Sequence, residues 1–312
     1  MFQRKVKPLP LMAWLIVAMS APCALLAGKD DWLGLVIAVM FAGTFCWAVT
    51  GKATQNAQTW EWYCSLQYVF LILTLAAFAG WSQDAWPTGR DFPIVPLTLL
   101  FLAVLASYRG AQGACRVSSV LFWLIAALYG ILLSFGSKDL EAAYLMPAYG
   151  PVNMQSFFIL LIPAVMQFIP RDHSQILRWS GLAVGTVFVI LALWTTGGLS
   201  APVAKVLDWP FYEAGKSVGV LGIAERLESL ISVAVTVGFF SLYSLFLSAT
   251  GHLAENVRHG WGGKGVVAAG VTAAVLTCIP VRIPAVTMVT FGILLWGILP
   301  AVAGGFTVAK KE

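Results

Sequence analysis

The chain has 312 residues and a formal net charge of +5, but only 11% of its residues are charged and 59% are hydrophobic. Soluble domains carry roughly 25% charged residues, and no single soluble core of this length can bury so much apolar surface. With a mean hydropathy of +0.84, the composition excludes a soluble enzyme, a nucleic-acid-binding protein and a disordered chain. It favours an all-α integral membrane protein whose surroundings are the lipid bilayer.

Apolar segments follow one another along the whole chain. A helix needs about 20 apolar residues to cross the hydrocarbon core of a bilayer. Ten segments come close to that length, and they are numbered 1 to 10 in chain order: 9–27, 33–50, 62–81, 94–109, 117–136, 152–170, 179–197, 227–249, 264–281 and 284–304. The sequence therefore predicts a single transmembrane domain of about ten helices over residues 1–312.

The distribution of basic residues predicts the orientation in the membrane. Ten spans place both termini on one side. If that side is the cytoplasm, twelve of the 19 lysines and arginines are cytoplasmic and seven are external. Three of those seven lie in one long loop, where the positive-inside rule counts least. We expect a multi-pass protein of the cell membrane with both termini in the cytoplasm.

Proline interrupts two segments at matching places. Pro22 lies inside segment 1 and Pro163 inside segment 6. A proline removes one helical hydrogen bond and clashes with the preceding turn. Interrupted segments at corresponding positions are typical of transporters with inverted repeats and a binding site near the bilayer midplane. The pattern predicts interrupted helices 1 and 6 in two five-helix halves, residues 9–136 and 147–304, although two unrelated proline kinks would produce it too.

The loop of residues 198–228, between segments 7 and 8, is too polar to cross the membrane. Its aromatic run Trp209-Pro210-Phe211-Tyr212 suits the interface between water and lipid. Gly215, Gly219 and Gly222 each lower helix propensity by roughly 1 kcal/mol relative to alanine. We expect one or two short helices that form an external lid over the ligand path.

Four stretches carry a resemblance to a known family. They are LLAGKDDWL at 25–33, YRGAQGACRV at 108–117, YLMPAYG at 144–150, and WPFY with ERLESL at 209–212 and 225–230. In their order and spacing they resemble the spore germination permeases, the B subunits of nutrient germinant receptors. The sequence departs from the family in its short loops and in the run from Ile162 to Gln167, where many relatives carry a glutamate.

The resemblance implies more than the residue patterns do. It implies membership of the amino acid–polyamine–organocation superfamily and a leucine-transporter-like 5+5 inverted repeat. It also implies a small nutrient ligand, such as an amino acid, and a place in the spore inner membrane. The implied partners are an A-type membrane subunit and a C-type lipoprotein.

Candidate ligand-binding residues cluster at the two proline interruptions. No catalytic motif, cofactor motif or metal-ligand spacing is present, and no charged residue lies near the middle of a predicted span. A zwitterion can still bind, with its carboxylate at exposed helix N–H groups and its ammonium at freed carbonyls. The candidates are Ser20, Ala21, Pro22 and Cys23 in segment 1, Leu160, Leu161, Ile162 and Pro163 in segment 6, Tyr68 and Thr74 in segment 3, and Thr236 in segment 8.

Three functions remain open from the sequence. The favoured one is a germinant-receptor subunit that binds a small nutrient and signals to its partner subunits. The alternative is an autonomous amino acid permease, which moves its substrate across the membrane. A structural scaffold without a small ligand is the third.

Overall fold

The computed structural model describes residues 5–49, 60–84, 93–137, 140–145, 150–170, 178–217, 227–279 and 283–300. This part of the chain is helical and contains no strand. Its α-helices, numbered in chain order, are α1 (Pro8–Leu26), α2 (Trp32–Val49), α3 (Glu61–Asp84), α4 (Ile94–Ser107), α5 (Ala111–Gly136), α6 (Met154–Leu161), α7 (Ser180–Leu199), α8 (Ala201–Val206), α9 (Pro210–Ser217), α10 (Leu227–Val257), α11 (Gly262–Cys278) and α12 (Ala285–Gly292).

The predicted membrane-spanning character is confirmed. Six helices, α1, α2, α3, α5, α7 and α10, are long and apolar enough to cross a membrane. Four shorter apolar helical stretches, at Ile94–Ser107, Met154–Phe168, Gly262–Cys278 and Ala285–Ile298, occupy the remaining predicted segments. The protein is therefore a multi-pass membrane protein. The inverted relation between the two halves and the orientation of the termini remain predictions.

The prediction that helix 1 is interrupted is wrong. α1 continues as one α-helix of 19 residues with Pro22 inside it. From Leu11 to Leu26 nearly every side chain of α1 is buried, and α5, α7 and α10 all pack against it. Surrounding helices can support a proline within a membrane helix, because they supply new partners for the freed backbone groups.

The predicted interruption of helix 6 is confirmed. Asn153 caps α6 by accepting a hydrogen bond from the backbone nitrogen of Gln155 at 3.2 Å. The α-helix ends at Leu161, and residues Ile162–Phe168 continue as a 3₁₀ helix with Pro163 near its start. All seven residues of that 3₁₀ helix are buried. Helix 6 therefore changes its hydrogen-bonding pattern in the protein interior.

The loop between helices 7 and 8 contains short helices, as expected. α8 has six residues and α9 has eight. The rest of the predicted lid, including Gly219, Gly222 and the end near Glu225, lies outside the described residues. A change that the sequence analysis did not anticipate occurs in the last span, where α12 passes into a π-helix over Ile293–Ile298.

The longest helix, α10, lies at the centre of the bundle. It packs against α1, α3, α4, α5 and α11. A series of buried hydroxyl groups joins it to two of these neighbours: Ser107 donates to the carbonyl of Ser244 at 3.0 Å, and Ser118 donates to Ser241 Oγ at 3.2 Å. Small residues and interhelical hydrogen bonds of this kind hold membrane helices together where lipid provides no hydrophobic driving force.

Candidate functional site

The proline region of α1 is buried and rich in polar backbone contacts. Pro22 has no N–H group, so the carbonyl of Ala18 lacks the donor that an ordinary residue would supply. Ser20 donates from its hydroxyl to the carbonyl of Val17 at 2.6 Å. Tyr129 of α5 donates to the carbonyl of Ser20 at 3.2 Å. The predicted residues at 20–23 are all buried, and they surround a distorted part of the helical hydrogen-bond ladder.

α10 packs closely against α1 at a glycine. A Cβ atom added at Gly238 would lie 2.6 Å from the Cβ of Ala21 and 2.9 Å from the hydroxyl of Ser20. Only a residue without a side chain therefore fits between the two helices. Thr236, two positions earlier, donates to the carbonyl of Ser232 on its own helix at 2.7 Å. Its hydroxyl group is therefore hydrogen-bonded to the backbone of its own helix rather than directed to the space beside Ser20.

The break in helix 6 lies close to both of these helices. α6 contacts α1, and the 3₁₀ segment contacts α10 and α2. The four predicted residues, Leu160, Leu161, Ile162 and Pro163, are fully buried. The thiol of Cys46 on α2 points at the carbonyl of Leu160, with 3.9 Å between Sγ and O. The structure thus buries the predicted residues of segments 1 and 6 and places them on neighbouring helices, since α1 contacts α6.

The two predicted residues of α3 make other contacts. The Tyr68 hydroxyl donates to the carbonyl of Gly265 on α11 at 2.8 Å. The Thr74 hydroxyl donates to the carbonyl of Phe70 on its own helix at 2.9 Å. Tyr68 therefore joins α3 to α11, away from the α1–α6 region. The buried hydroxyl of Thr74 has its hydrogen-bond partner within its own helix.

Tyr129 is the residue at this site that sequence reasoning missed. Besides its bond to Ser20, its ring meets Phe211 of α9 edge to face, with 5.8 Å between the ring centroids. The same tyrosine lines a small hollow between α5 and α10, together with Leu132, Ile231 and their neighbours. A lone polar aromatic in the middle of an apolar span was the available signal, since such a hydroxyl needs a partner when it is buried.

Aromatic contacts connect the external loop to the helix-6 region. Trp209, just before α9, lies 6.5 Å from Trp81 of α3, centroid to centroid. Trp81 lies 5.7 Å from Phe78, which stacks on Phe158 of α6 at 6.1 Å. Phe158 in turn stacks on Trp296 of the π-helix at 6.1 Å. A continuous series of aromatic contacts thus joins five residues: Trp209, Trp81, Phe78, Phe158 and Trp296.

No cluster of three or more metal-ligating side chains occurs among the described residues. Four of the five cysteines, Cys23, Cys46, Cys64 and Cys115, are buried, Cys278 is exposed, and none of the five forms a disulfide. The candidate site consists of backbone carbonyls, hydroxyls and apolar side chains. Such a site can bind a small polar molecule.

Comparison with protein families identifies one match. A family model described as spore germination protein, of the spore permease type, matches residues 89–283, which is more than half of the chain. A comparison with curated proteins finds no match. The matched range contains α4 to α11 and the resembling stretches at 108–117, 144–150 and 209–230. The stretch at 25–33 lies before it.

Proposed function

The chain belongs to the spore germination protein family, and from this premise we propose that it is the permease-like subunit of a nutrient germinant receptor. In this role it binds a small nutrient, such as an amino acid, and signals to an A-type membrane subunit and a C-type lipoprotein. The family is transporter-like and is not a family of enzymes. The observation that carries the proposal is that Pro22 in α1 and the end of α6 at Leu161 are both buried, on two helices that contact each other.

The groups at these two places suit a zwitterion. The carbonyl of Ala18 has no donor from Pro22, and the α-helical ladder of α6 ends at Leu161. Carbonyls released in this way attract an ammonium group, because they carry the negative end of the helix dipole. The carboxylate is taken up by N–H groups and hydroxyls such as that of Ser20. Displacing Tyr129 from the Ser20 carbonyl frees one more acceptor for the ammonium.

Tyr129 also supports a route from the ligand to the outer surface. Its hydroxyl contacts α1 and its ring contacts Phe211, which is 1% exposed. Phe211 is held from its other side by Trp194 of α7, at a centroid distance of 5.3 Å. A ligand that moves Tyr129 therefore also moves α9. In this proposal α9 and its flanking residues act as the lid, and the lid reports occupancy to a partner subunit.

Binding is tested first. We expect purified protein in lipid nanodiscs to melt at a higher temperature with at least one member of a panel of the common amino acids. An amino acid at 100 times its dissociation constant adds about 2.7 kcal/mol to stability. Tyr129→Phe should strengthen binding by about fivefold, because the ammonium group no longer has to replace the Tyr129 hydroxyl at the Ser20 carbonyl. Tyr68→Phe is the matched control, since its hydroxyl binds α11. Equal effects of the two variants would contradict the proposed site.

The permease alternative makes a different prediction. The family's transporter-like character favours it, and a permease moves its substrate without partner subunits. Uptake of labelled amino acids into proteoliposomes that contain this chain alone would displace the sensor proposal. Binding without uptake, together with co-purification of an A-type subunit and a C-type lipoprotein, supports the receptor.

The lid is tested by chemical labelling. A Lys216→Cys variant, in a background without Cys278 and the four buried thiols, should react with a membrane-impermeant maleimide added outside. The reaction should slow when the stabilising amino acid is present, because a closed lid covers the residue. Labelling only from the cytoplasmic side would contradict the proposed orientation. An unchanged rate in a protein that still binds the amino acid would contradict the lid.

A further inference from the structure

The short turn between α1 and α2 contacts two other parts of the protein. Lys29 donates to the backbone carbonyl of Leu207 in the external loop. The carboxylate of Asp31 pairs with Lys205 of α8, with 2.7 Å between Oδ1 and Nζ. Two of the three charged residues in this turn therefore anchor the external loop. The third, Asp30, contacts α6 instead.

Asp30 is a buried carboxyl group at the beginning of helix 6. It is only 5% exposed, and its Oδ1 accepts a hydrogen bond from the backbone nitrogen of Asn153 at 2.6 Å. Its second oxygen, Oδ2, has no hydrogen-bond partner among the described residues. Burial raises the pKa of Asp30 above its ordinary value, although interactions with Ser156 and Asn153 lower it.

The chain that leads into α6 is pressed closely against this turn. A Cβ atom on Gly150 would collide with the Asp31 carboxylate, and one on Gly34 of α2 would lie 2.5 Å from the carbonyl oxygen of Gly150. The two glycines let the backbone before α6 lie directly against the turn and α2. Small movements of the turn are therefore passed to the start of α6.

We infer that Asp30 is a positioning residue for the proposed ligand site. Its side chain holds the N-terminus of α6 against the α1–α2 turn, and ionisation of this buried carboxyl group weakens that hold. The inference rests on the proposed function, because it treats the far end of α6 as part of the ligand site. α6 spans eight residues, about 12 Å at 1.5 Å per residue, so a rigid displacement at Asn153 reaches Leu161.

The charge on Asp30 is what calls for a functional explanation. A neutral asparagine could accept the same hydrogen bond from Asn153 without the cost of burying a charge. Ionising a buried carboxyl group is costly, and ionisable groups placed in this way cluster at functional positions. The charged groups around Asp30 are Asp31 and Lys29 in the same turn and Lys205 on α8. The first turn of α6 contains no titratable residue.

The test measures the hold on α6 without any ligand. Hydrogen–deuterium exchange of the peptide covering 150–161 is recorded for the full chain in nanodiscs, over a series from about pH 4 to pH 8. Each rate is corrected for the intrinsic effect of pH on exchange. We expect protection in the wild type to fall by about fivefold as the pH rises and Asp30 ionises, the size expected for loss of a helix cap. Asp30→Asn should show the high protection at every pH, because its neutral amide oxygen can accept the same hydrogen bond from Asn153.

Asp31→Asn is the matched control, because it removes the neighbouring carboxylate but leaves the contact with Asn153. It should keep the pH dependence of the 150–161 peptide. Flat protection in the wild type, or pH dependence that persists in Asp30→Asn, would overturn the inference.

A second measurement separates this inference from the proposed function. The thermal shift caused by the amino acid panel is repeated with Asp30→Asn. Asp30→Asn should weaken binding while leaving the melting temperature of the unliganded protein unchanged or higher, an outcome that a purely structural cap would not give. A lower melting temperature with unchanged affinity would overturn the positioning role. If the wild type responds to no amino acid, the proposed function fails, and the exchange data still decide whether Asp30 holds α6.

Discussion

Replacing Gly238 by alanine adds a methyl group at the point where α10 touches α1. The new Cβ would lie 2.6 Å from the Cβ of Ala21 and 2.9 Å from both the Ala21 nitrogen and the Ser20 hydroxyl. Non-bonded carbon atoms pack at about 3.5–4.0 Å, so the two helices must separate by roughly 1 Å to admit the methyl group. The atoms in the way belong to backbone or to a Cβ, so rotation of a side chain cannot relieve most of the clash.

The expected cost follows from this geometry. Overpacking of a close-packed interior destabilises by about 1–3 kcal/mol. Replacing a helical glycine by alanine returns up to about 1 kcal/mol through helix propensity. We expect a net loss of about 1–2 kcal/mol, and each kcal/mol lowers the melting temperature by roughly 2–4 °C in a large domain. Amino acid binding should weaken as well, because the separation displaces the Ser20–Pro22 region.

The assay compares thermal unfolding of three proteins in the same nanodiscs, with and without the stabilising amino acid. They are the wild type, Gly238→Ala and Gly80→Ala. Gly80 is the matched control, since a Cβ added there meets no atom within 4 Å. We expect Gly80→Ala to melt at or above the wild-type temperature. If Gly238→Ala is equally stable and binds equally well, the close contact between α1 and α10 does not organise the site.

Three further predictions follow from the same contacts. Pro22→Ala restores a donor for the Ala18 carbonyl and removes a helix breaker worth about 3 kcal/mol. The melting temperature should therefore rise while the affinity for the amino acid falls. An unchanged affinity would show that Pro22 is not part of the site. The pKa of Asp30 is raised in the folded protein, so its stabilising contribution is present below the unfolded pKa of about 3.9 and is lost as the pH rises through the folded pKa. The melting temperature of the wild type relative to Asp30→Asn should therefore fall from acidic to neutral pH, and a constant difference would contradict the burial argument. Lys205→Gln breaks a partly exposed ion pair worth about 0.2–1 kcal/mol. It should barely change the melting temperature but should increase the rate of maleimide labelling at position 216. An unchanged labelling rate would show that α8 does not restrain the lid.

The membrane architecture could be predicted from the sequence because each span is a local property. Ten apolar segments of sufficient length appear as six long and four shorter apolar helices. The break at Pro163 was also predictable, since proline acts on its own helix. The same rule failed at Pro22, where α1 remains continuous. The outcome there depends on neighbouring helices, and those contacts are not written in the local sequence.

The candidate site could be predicted only in outline. Residues 20–23 and 160–163 are all buried, on helices that contact each other, and proline was the local signal that pointed to both stretches. Tyr129 was missed because its bond to Ser20 joins residues 109 positions apart. Asp30 was noticed only as part of a resembling stretch, and its contact with Asn153 spans 123 positions. Such pairings arise from the packing of helices, which no pattern within one segment reveals.

The π-helix at the end of α12 has a consequence for how the last span can move. Its turns contain one residue more than α-helical turns, so a switch to the α pattern would advance the following chain by about 1.5 Å and rotate it by about 100°. The carbonyl of Leu295 accepts hydrogen bonds from both Tyr63 and Gln67 of α3. These two hydrogen bonds fix the position of the last span relative to α3 at Leu295. The ring of Trp296, the next residue, also packs on Phe70 of α3, with 5.4 Å between the ring centroids. A switch of this kind would have to break contacts with α3, so the packing of α3 opposes it.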